Sequence, residues 1–424
     1  MAGTSTASVI INNYNYGRFL SDAIESALAQ TYPRTEVVVV DDGSEDNSRT
    51  IISRYAGRVI PVLKKNGGQG SAFNEGFAAS KGETVIFLDA DDMLLPHAVE
   101  HAVDALRDAE VVKVHWQLRV IDQAGRDTGQ LRPGGTLPSG DLREAAFRLG
   151  PTNHLSPPTS GNAWARRFLE RVLPVPENVY RTCADTYLFE LAPFFGLIKT
   201  IPSPQSAYRR HGQNLFSTKP LEAKLKHGLL FYENYANVLV EYCQARGHIV
   251  DLSVWRRRSW WHRLDLAIHA IEELPHEHRT MILIDDATWD EGPVAGRARL
   301  PFLERDGKYW GNPPNDETAV RELERMRSSG AALLVIAWPA FWWMQYYTAF
   351  VRYLRCNFSC LIDNEQIIAF DLTASADGSP VNGFGAAQAG QREAKRKTAS
   401  RSVARRGCSV RSNQSANGAG ERNR

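Results

Sequence analysis

Three carboxylates that follow an apolar run have the clearest chemical potential in this chain. Residues 84–88 are Thr-Val-Ile-Phe-Leu, and Asp89, Asp91 and Asp92 come directly after them. The run predicts a strand buried on both faces, as in a parallel sheet covered by helices. Asp89 and Asp91 share one side of an extended segment and could hold a divalent cation. The alternative is a loop in which one aspartate caps the helix that begins near Pro96.

A second acidic pair, Asp41 and Asp42, follows another apolar run over residues 36–40. Strands and helices alternate between the two pairs, which predicts right-handed βαβ units around a parallel sheet. Both pairs should therefore lie at the carboxyl edge of that sheet, where open α/β sheets bind their ligands. The pattern predicts an α/β fold with a mostly parallel sheet flanked by helices.

The turns after these strands limit the kind of nucleotide site. No Gly-x-Gly-x-x-Gly or Gly-Lys-Ser/Thr follows the first strand, which excludes the dinucleotide and phosphate-loop fingerprints. We expect Asp41 or Asp42 to accept hydrogen bonds from a base or ribose, and Asp89 with Asp91 to hold a metal on a diphosphate. The glycine-rich turn over residues 66–70 either offers amides to a ligand or is a plain tight turn.

Composition is that of a globular protein, with 424 residues, 43% apolar and 23% charged. The net charge of +2 hides an uneven distribution, because residues 373–424 carry ten Lys/Arg against three Asp/Glu. The preceding residues are therefore mildly acidic, which excludes a nucleic-acid-binding surface as the expected function. The Ala/Gly/Ser/Arg-rich segment 373–424 is predicted to be a disordered basic tail.

Cysteine usage and the apolar segments predict the cellular location. Five cysteines give no even disulfide framework, and Cys356 and Cys360 lack a second zinc-ligand pair. A cytoplasmic location is expected, since no basic and apolar leader is seen at the N-terminus. Pro339 interrupts the apolar residues 331–350, which favours a buried strand and a helix over 341–354 rather than a membrane span.

The second half of the chain is predicted to contain a helical segment and a small α/β unit. One helix is expected to run to Gly247 and a second over residues 253–274. The second begins with Trp255 and three arginines. The favoured interpretation is that this helix packs on the preceding domain with solvated arginines, and the alternative is peripheral contact with the inner membrane face. The expected units are 1–215, a helical connector 216–275, an α/β accessory domain 276–372 and the tail 373–424.

Five features, taken in order, resemble family 2 glycosyltransferases, which are nucleotide-sugar enzymes of GT-A fold. They are Val-Ile-Ile-Asn-Asn-Tyr-Asn at 9–15, Val-Val-Asp-Asp-Gly-Ser at 39–44, Leu-Asp-Ala-Asp-Asp at 88–92, Asp185, and Tyr-Arg-Arg-His at 208–211. The resemblance covers residues 7–215. It implies an inverting, metal-dependent transfer of a sugar, of the hexosyltransferase class, from a nucleotide-sugar donor to a hydroxyl acceptor such as a glycan or lipid-linked sugar in polysaccharide or glycoconjugate synthesis.

The resemblance also implies a role for individual residues. Asp185 would be the catalytic base. Asp89, Asp91 and His211 would hold Mg²⁺ or Mn²⁺, with Asp89 and Asp91 as the DxD motif. The nucleotide-sugar site would comprise Asn13, Tyr14, Asn15, Asp41, Asp42, Gly68 and Asp89. Without the resemblance, Asp185 is expected to be only the N-cap or first-turn acid of an apolar helix over 188–195.

Some positions depart from the family pattern. Asn12 stands where proline is common, Phe73 where an arginine is common, and Ala184 where an acidic residue is frequent. Phe73 and Ala184 keep open a non-catalytic nucleotide-sugar-binding protein as an alternative function. A nucleotidyltransferase is the other alternative, although it would need a basic glycine-rich loop after the first strand.

Overall fold

The computed structural model describes residues 5–152, 154–212, 220–275, 280–289 and 292–374. Its strands, numbered along the chain, are β1 (Ala7–Asn13), β2 (Thr35–Asp41), β3 (Ile60–Leu63), β4 (Thr84–Asp89), β5 (Met93–Leu94), β6 (Val111–His115), β7 (Leu118–Ile121), β8 (Asp127–Arg132), β9 (Asn162–Ala165), β10 (Leu197–Thr200), β11 (Ser206–Arg209), β12 (Thr280–Ile284), β13 (Ala298–Pro301), β14 (Glu304–Arg305), β15 (Lys308–Tyr309), β16 (Leu333–Ala337), β17 (Ser359–Asp363) and β18 (Ile367–Asp371). The predicted disordered tail lies outside the described residues from position 375 onward.

The helices are numbered in the same way. They are α1 (Gly17–Leu28), α2 (Ser48–Ser53), α3 (Gln69–Ala79), α4 (Ala98–Leu106), α5 (Arg143–Leu149), α6 (Arg166–Val172), α7 (Ala184–Leu191), α8 (Leu221–Gln244), α9 (Leu252–Arg258), α10 (Trp260–Glu272), α11 (Asp316–Ser328), α12 (Trp343–Tyr346) and α13 (Thr348–Asn357). Short 3₁₀ helices lie at Thr159–Gly161, Ala192–Phe194 and Trp338–Ala340.

The main sheet has seven strands in the order β10-β6-β9-β4-β1-β2-β3. Strands β3, β2, β1 and β4 are parallel, and β9 is antiparallel to both β4 and β6. The parallel strands β1, β2 and β4 end at Asn13, Asp41 and Asp89, so their last residues meet at one edge of the sheet. The predicted parallel α/β fold is confirmed.

The apolar runs are buried on both faces of this sheet, as a parallel sheet requires. Along β4, Val85 and Phe87 enter one core with Phe73 of α3, whereas Ile86 and Leu88 enter the opposite core. Successive side chains of a strand point to opposite faces, so a single apolar run contributes to both cores. This packing fixes the position of β4 in the sheet, and therefore the position of the carboxylates that follow Leu88.

A smaller sheet, in the order β5-β11-β7-β8, lies beyond the carboxylates. Its strand β5 follows Asp92 directly and pairs antiparallel with β11, placing Leu94 opposite Ser206. Because β11 leads to His211, this pairing brings a residue far along the chain back to the carboxylates. The β7–β8 pair carries Arg132 at its end.

Helix α8 shares a core with the main sheet. Its residues Tyr232, Tyr235 and Leu239 belong to the same buried cluster as Phe73 and Phe87. All described residues lie within one compact unit. The domain boundaries predicted at residues 215 and 275 stay predictions. The buried cluster that contains Phe73 and Tyr232 includes residues on both sides of position 215.

The C-terminal sheet has the order β13-β12-β16-β18-β17, with β12 parallel to β13 and β16. Two predicted helices are each broken in two. The helix expected over 253–274 stops at Ser259, whose ψ of 129° is extended and whose hydroxyl caps α10. The helix expected over 341–354 is interrupted at Tyr347, whose ψ is 61°. No described helix has both the length and the apolar character needed to cross a membrane.

Trp255 and Arg256 of α9 contact other parts of the protein. Trp255 is buried and donates from Nε1 to the Phe147 carbonyl oxygen at 2.9 Å. Arg256 forms an ion pair with Glu233 of α8 at 2.7 Å. These contacts agree with the favoured interpretation, in which this segment packs on the preceding domain.

Candidate active site

Asp89 is fixed at the end of β4 by hydrogen bonds from both sides. Asn12 lies opposite it on β1, and the Asn12 side-chain amide donates to Asp89 Oδ1 at 2.7 Å. The Asp89 backbone amide donates to Ser160 Oγ at 3.1 Å. Asn12, where the family commonly has proline, is therefore a direct partner of the first aspartate of the motif.

Two of the crowded carboxylates at the end of β4, Asp89 and Asp92, have raised pKa values. Burial raises the pKa of Asp89, and the nearby charges of Asp91 and Asp185 raise it further. Burial and the charge of Asp91 also hold the pKa of Asp92 well above its usual range. Both causes penalise negative charge, so a cation placed here would be stabilised by several carboxylate oxygens.

His211 lies against the second aspartate of the motif. Its Nε2 is 2.9 Å from Asp91 Oδ2, and its Nδ1 is 3.3 Å from Arg18 Nη2. Since a guanidinium can only donate, Nδ1 accepts and the ring proton lies on Nε2, which donates to Asp91. His211 thus lies beside Asp91, but this hydrogen bond must open before Nε2 can become a metal ligand.

Among the described residues, no group of three or more His, Cys, Asp or Glu side chains is arranged to hold a metal alone. The residues present nevertheless fit a hard divalent ion, because Asp89 and Asp91 offer carboxylate oxygens to the same cavity. Mg²⁺ in particular binds through one or two carboxylates and completes its shell with water and substrate phosphates. The donor set is therefore compatible with Mg²⁺ or Mn²⁺ held jointly by protein and donor.

The acidic pair after β2 is occupied by protein partners. Asp41 is fully buried and accepts from Arg49 Nε at 2.8 Å and from the Asn13 side-chain amide at 3.0 Å. Asp42 accepts from Lys64 Nζ at 2.6 Å. Asp42 lines the cavity, whereas Asp41 is outside the described lining residues. The structure thus separates the two aspartates that the sequence left as equivalent candidates.

The three residues after β1 are also separated. Asn13 and Tyr14 line the cavity, and Tyr14 is largely exposed. Asn15 has a φ of 59°, receives the Glu45 amide on Oδ1 at 2.8 Å and donates its own amide to Ser44 Oγ at 2.9 Å. Asn15 therefore shapes the turn that presents Asn13 and Tyr14, and it lies outside the described lining residues.

The amides of the glycine-rich turn are already used within the protein. The Gly67 and Gly68 amides donate to the two carboxylate oxygens of Asp42 at 2.8 and 2.7 Å. The next two amides, of Gln69 and Gly70, donate to backbone carbonyl oxygens at 2.7 and 3.0 Å. Of the two interpretations of this turn, these contacts favour the plain tight turn over one that offers these amides to a ligand. Gly68 lines the cavity, but its φ of 90° and its close approach to Arg181 give it a structural role.

Asp185 is the second residue of α7, as expected for a first-turn acid, but it also faces the cavity. Its Oδ2 accepts from Thr159 Oγ1 at 3.0 Å. Burial raises the pKa of Asp185, and the hydrogen bond from Thr159 partly opposes this effect. The helix that carries it ends at Leu191, earlier than predicted, because the Ala192–Phe194 turn with Pro193 follows.

The carboxylates surround one cavity of about 610 Å³. This volume is within the usual range for small-molecule sites. Residues that sequence reasoning missed also line it, namely Tyr16, Gln69, Arg132, Thr159, Arg181 and Tyr208. The two arginines carry no motif around them that would have identified them. They are cations at the cavity, while Phe73, where the family commonly has arginine, stacks on Phe87 in the core.

Comparison with known proteins supports the sequence resemblance. The family model described as glycosyl transferase family 2 matches residues 8–171. An uncharacterized glycosyltransferase of Nostoc sp. is 40% identical over 271 residues, which is 60% of this chain and 83% of the relative. An uncharacterized glycosyltransferase of Rickettsia conorii is 37% identical over 34% of this chain, and the match spans only 24% of that relative.

Two solved structures with similar folds have low TM-scores. A mannosyltransferase from Pyrobaculum calidifontis in complex with GDP-Man and Mn²⁺ gives a TM-score of 0.42 at 16% identity, covering 65% of this chain and 77% of that one. S. aureus TarS 1–349 in complex with UDP-GlcNAc gives 0.39 at 18% identity, covering 64% and 82%. Likenesses this weak assign no ligand.

The fold and its acidic cavity define a glycosyltransferase of GT-A type, with a largely parallel sheet whose carboxyl edge faces the site. The chain belongs to glycosyl transferase family 2, because it covers most of a relative of that class at 40% identity and matches the family model.

Proposed function

We propose that this protein is a metal-dependent, inverting glycosyltransferase that moves a sugar from a nucleoside diphosphate to an acceptor hydroxyl. The observation that carries the proposal is that Asp185 and the Asp89–Asp91 pair face the same cavity from different elements. The Asp89–Asp91 pair is suited to holding the leaving diphosphate through a metal ion, and Asp185 is suited to activating the attacking hydroxyl. A single cavity thus has groups for both ends of a displacement at an anomeric carbon.

The donor nucleotide is assigned to the side of the cavity formed after β1 and β2. Asn13, Tyr14 and Asp42 line this side, and Asp42 is held in place by Lys64 and the glycine turn. An aromatic ring and fixed polar groups are suited to stacking on a base and to pairing with base or ribose edges. Asp41 supports Asn13 from beneath through its buried hydrogen bond.

The diphosphate is assigned to Asp89, Asp91 and the two cavity arginines. Asp89 and Asp91 would hold the divalent ion, which when bound neutralises charge that develops on the leaving diphosphate. Arg132 and Arg181 are placed at the cavity wall and can pair with phosphate oxygens in a bidentate manner. Tyr16 also faces the carboxylates; burial raises its pKa to about 12, so it remains a hydroxyl donor.

Asp185 is assigned as the base that takes the proton of the acceptor hydroxyl. Its raised pKa makes it a stronger base than an exposed aspartate. A base and a leaving group on opposite sides of the sugar give one in-line displacement, which inverts the anomeric centre.

The proposal is tested by measuring release of nucleoside diphosphate from a panel of nucleotide sugars with Mn²⁺, Mg²⁺ or EDTA. We expect wild type to release one nucleoside diphosphate in a metal-dependent manner. Asp91→Asn should weaken metal-dependent donor binding, whereas Asp185→Asn should bind the donor and lose turnover. Asp286→Asn, at an exposed aspartate in the C-terminal sheet region, is the matched control and should behave as wild type.

Two results would contradict this assignment. If no nucleotide sugar binds in the presence of metal, the donor site is wrong. If Asp185→Asn turns over at the wild-type rate, the assignment of the base is wrong. Donor binding without turnover in wild type, across the donors and added acceptors, would favour the non-catalytic binding protein.

A further inference from the structure

Two uncharged side chains, Gln69 and Thr159, connect the carboxylates at the two ends of the cavity. Gln69 Nε2 lies 3.4 Å from Asp89 Oδ1 and 3.4 Å from Thr159 Oγ1. Thr159 Oγ1 in turn donates to Asp185 Oδ2 at 3.0 Å. Because the threonine hydroxyl has one proton and gives it to Asp185, its oxygen accepts from Gln69. The hydrogen bonds therefore run in one direction, from Gln69 through Thr159 to Asp185.

The other end of the Gln69 amide holds the helix that carries the base. Gln69 Oε1 accepts from the Ala184 amide at 2.9 Å. Ala184 is the first residue of α7 and immediately precedes Asp185. A helix begins with unpaired amides, so this hydrogen bond satisfies one of them and fixes where α7 starts. One side chain thus contacts the first carboxylate of the metal pair and the backbone beside the base.

The backbone around Gln69 is fixed by separate contacts. The Gln69 amide donates to the Arg181 carbonyl oxygen at 2.7 Å, and the Gly70 amide donates to that of Tyr180 at 3.0 Å. A Cβ atom on Gly68 would lie 2.5 Å from the Arg181 carbonyl oxygen, so glycine allows this close approach. The segment before α7 is therefore anchored to the start of α3 without the Gln69 side chain. The donation of Nε2 toward Asp89 and Thr159 is an additional feature that anchoring does not require.

We infer that Gln69 and Thr159 are positioning residues that hold the base Asp185 in register with Asp89. The inference rests on the proposed transferase function and extends it to residues that carry no charge and do not take part in the displacement. Gln69 fixes the first turn of α7, and Thr159 orients the Asp185 carboxylate through its hydrogen bond to Oδ2. The alignment of base, sugar and leaving group is sensitive to small displacements, so both residues should act on turnover more than on donor binding.

The inference is tested with Gln69→Met, Thr159→Val, the double variant and Thr159→Ser. Methionine and valine keep the side-chain size and remove the hydrogen bonds, while serine keeps the hydroxyl. We expect each of the first two to lower kcat by about 10- to 100-fold and to change the donor KM by less than about threefold. Thr159→Ser should stay within about threefold of wild type. Because the two residues belong to one series of hydrogen bonds, the double variant should have about the same kcat as the slower single variant.

These assays use as donor the nucleotide sugar that wild type hydrolyses fastest. Binding of the corresponding nucleoside diphosphate in the presence of Mn²⁺ shows whether the donor site of each variant is intact. If Gln69→Met does not bind the nucleoside diphosphate, the inference is judged from the comparison of Thr159→Val with Thr159→Ser. Three results would overturn this inference and leave the proposed function standing. They are wild-type turnover in Thr159→Val, a loss of turnover in Thr159→Ser equal to that in Thr159→Val, and an effect of the substitutions on the donor KM but not on kcat. Absence of turnover in wild type with every donor would instead overturn the proposed function and this inference together.

Discussion

The side-chain amide of Asn12 donates to Asp89 Oδ1 at 2.7 Å across the paired strands β1 and β4. The two residues are in register on the central strands, so the distance between them is set by the sheet itself. Asn12 is thus a supporting partner of a carboxylate that we assign to metal binding. Partners of this type orient a ligand and adjust its basicity.

Asn12→Ala is expected to weaken metal binding. Loss of the short hydrogen bond leaves the buried Asp89 carboxylate less stabilised in its charged form. We expect the Mn²⁺ requirement for turnover to rise by about tenfold or more. Titration of Mn²⁺ against activity measures this change, and Asn357→Ala, at an exposed asparagine in α13, is the control. An unchanged Mn²⁺ titration in Asn12→Ala would show that Asp89 needs no such support.

Arg181→Ala is expected to raise the donor KM. Arg181 lines the cavity and also donates from Nη2 to Asn66 Oδ1 at 2.7 Å. Charge-assisted bonds to phosphate are stronger than neutral ones, and we expect KM to rise about tenfold, with a larger relative effect at low salt. Arg143→Ala, at an exposed arginine on α5, should leave KM unchanged. Equal effects of the two substitutions would argue against a phosphate contact.

Lys113→Met is expected to stabilise the fold at mildly acidic pH. Lys113 is fully buried, and burial lowers its pKa from 10.5 to about 7. The folded state therefore holds this proton more weakly than the unfolded chain, and the resulting destabilisation is complete below about pH 7 and absent above about pH 10.5. Near pH 6 the substitution should raise the free energy of unfolding by about 1–4 kcal/mol.

This gain should become smaller as the pH rises. Above about pH 7 Lys113 loses its proton in the folded state, whereas the unfolded chain keeps it up to about pH 10.5, so the penalty that the substitution removes decreases over this range. Urea denaturation near pH 6 and pH 9 measures both effects. Lys199→Met, at an exposed lysine on β10, is the control and should change stability little at either pH. A gain that grows with pH would contradict the direction assigned to the Lys113 pKa.

Trp255→Ala is expected to destabilise the protein strongly. The indole is 1% exposed, and a Cβ atom on Gly150 would lie 2.4 Å from its Cγ, which shows how closely α9 packs against the loop after α5. Loss of a buried tryptophan costs about 3–5 kcal/mol. Trp310→Ala, at a residue that is 61% exposed, should cost less than about 0.5 kcal/mol in the same urea denaturation. Similar costs for both would show that Trp255 is not part of the core.

The strands and the carboxylate edge could be predicted because local pattern determines them. Residues 85–88 are apolar without interruption, and a strand covered on both faces buries every residue of such a run. The parallel arrangement then brings Asp42 and Asp89 to one edge, although they are distant in sequence. Asp185 was found by resemblance, since its position in the first turn of a helix has a simpler explanation.

The partners of these carboxylates could not be predicted, because they depend on how loops meet in three dimensions. Asp42 takes the Gly67 and Gly68 amides only because the chain after β2 approaches the turn before α3. Gln69 and Thr159 are ordinary residues in sequence and acquire a role through their contacts with Asp89 and Asp185. The break at Ser259 arises because its hydroxyl caps α10, a local competition that apolar periodicity does not reveal.

The core shared by α8 and the main sheet limits how this enzyme can exchange parts with its relatives. The family match ends at residue 171, before Asp185, and the tyrosines of α8 complete the core beneath α7. Tyr180 and Tyr235 stack with ring centroids 5.8 Å apart, which joins the segment before the base to α8. A chimera joined at residue 171 or 215 would combine parts of this core from two different proteins. A chimera that keeps this core intact therefore needs a crossover beyond Arg258, because Trp255 of α9 belongs to the same buried cluster.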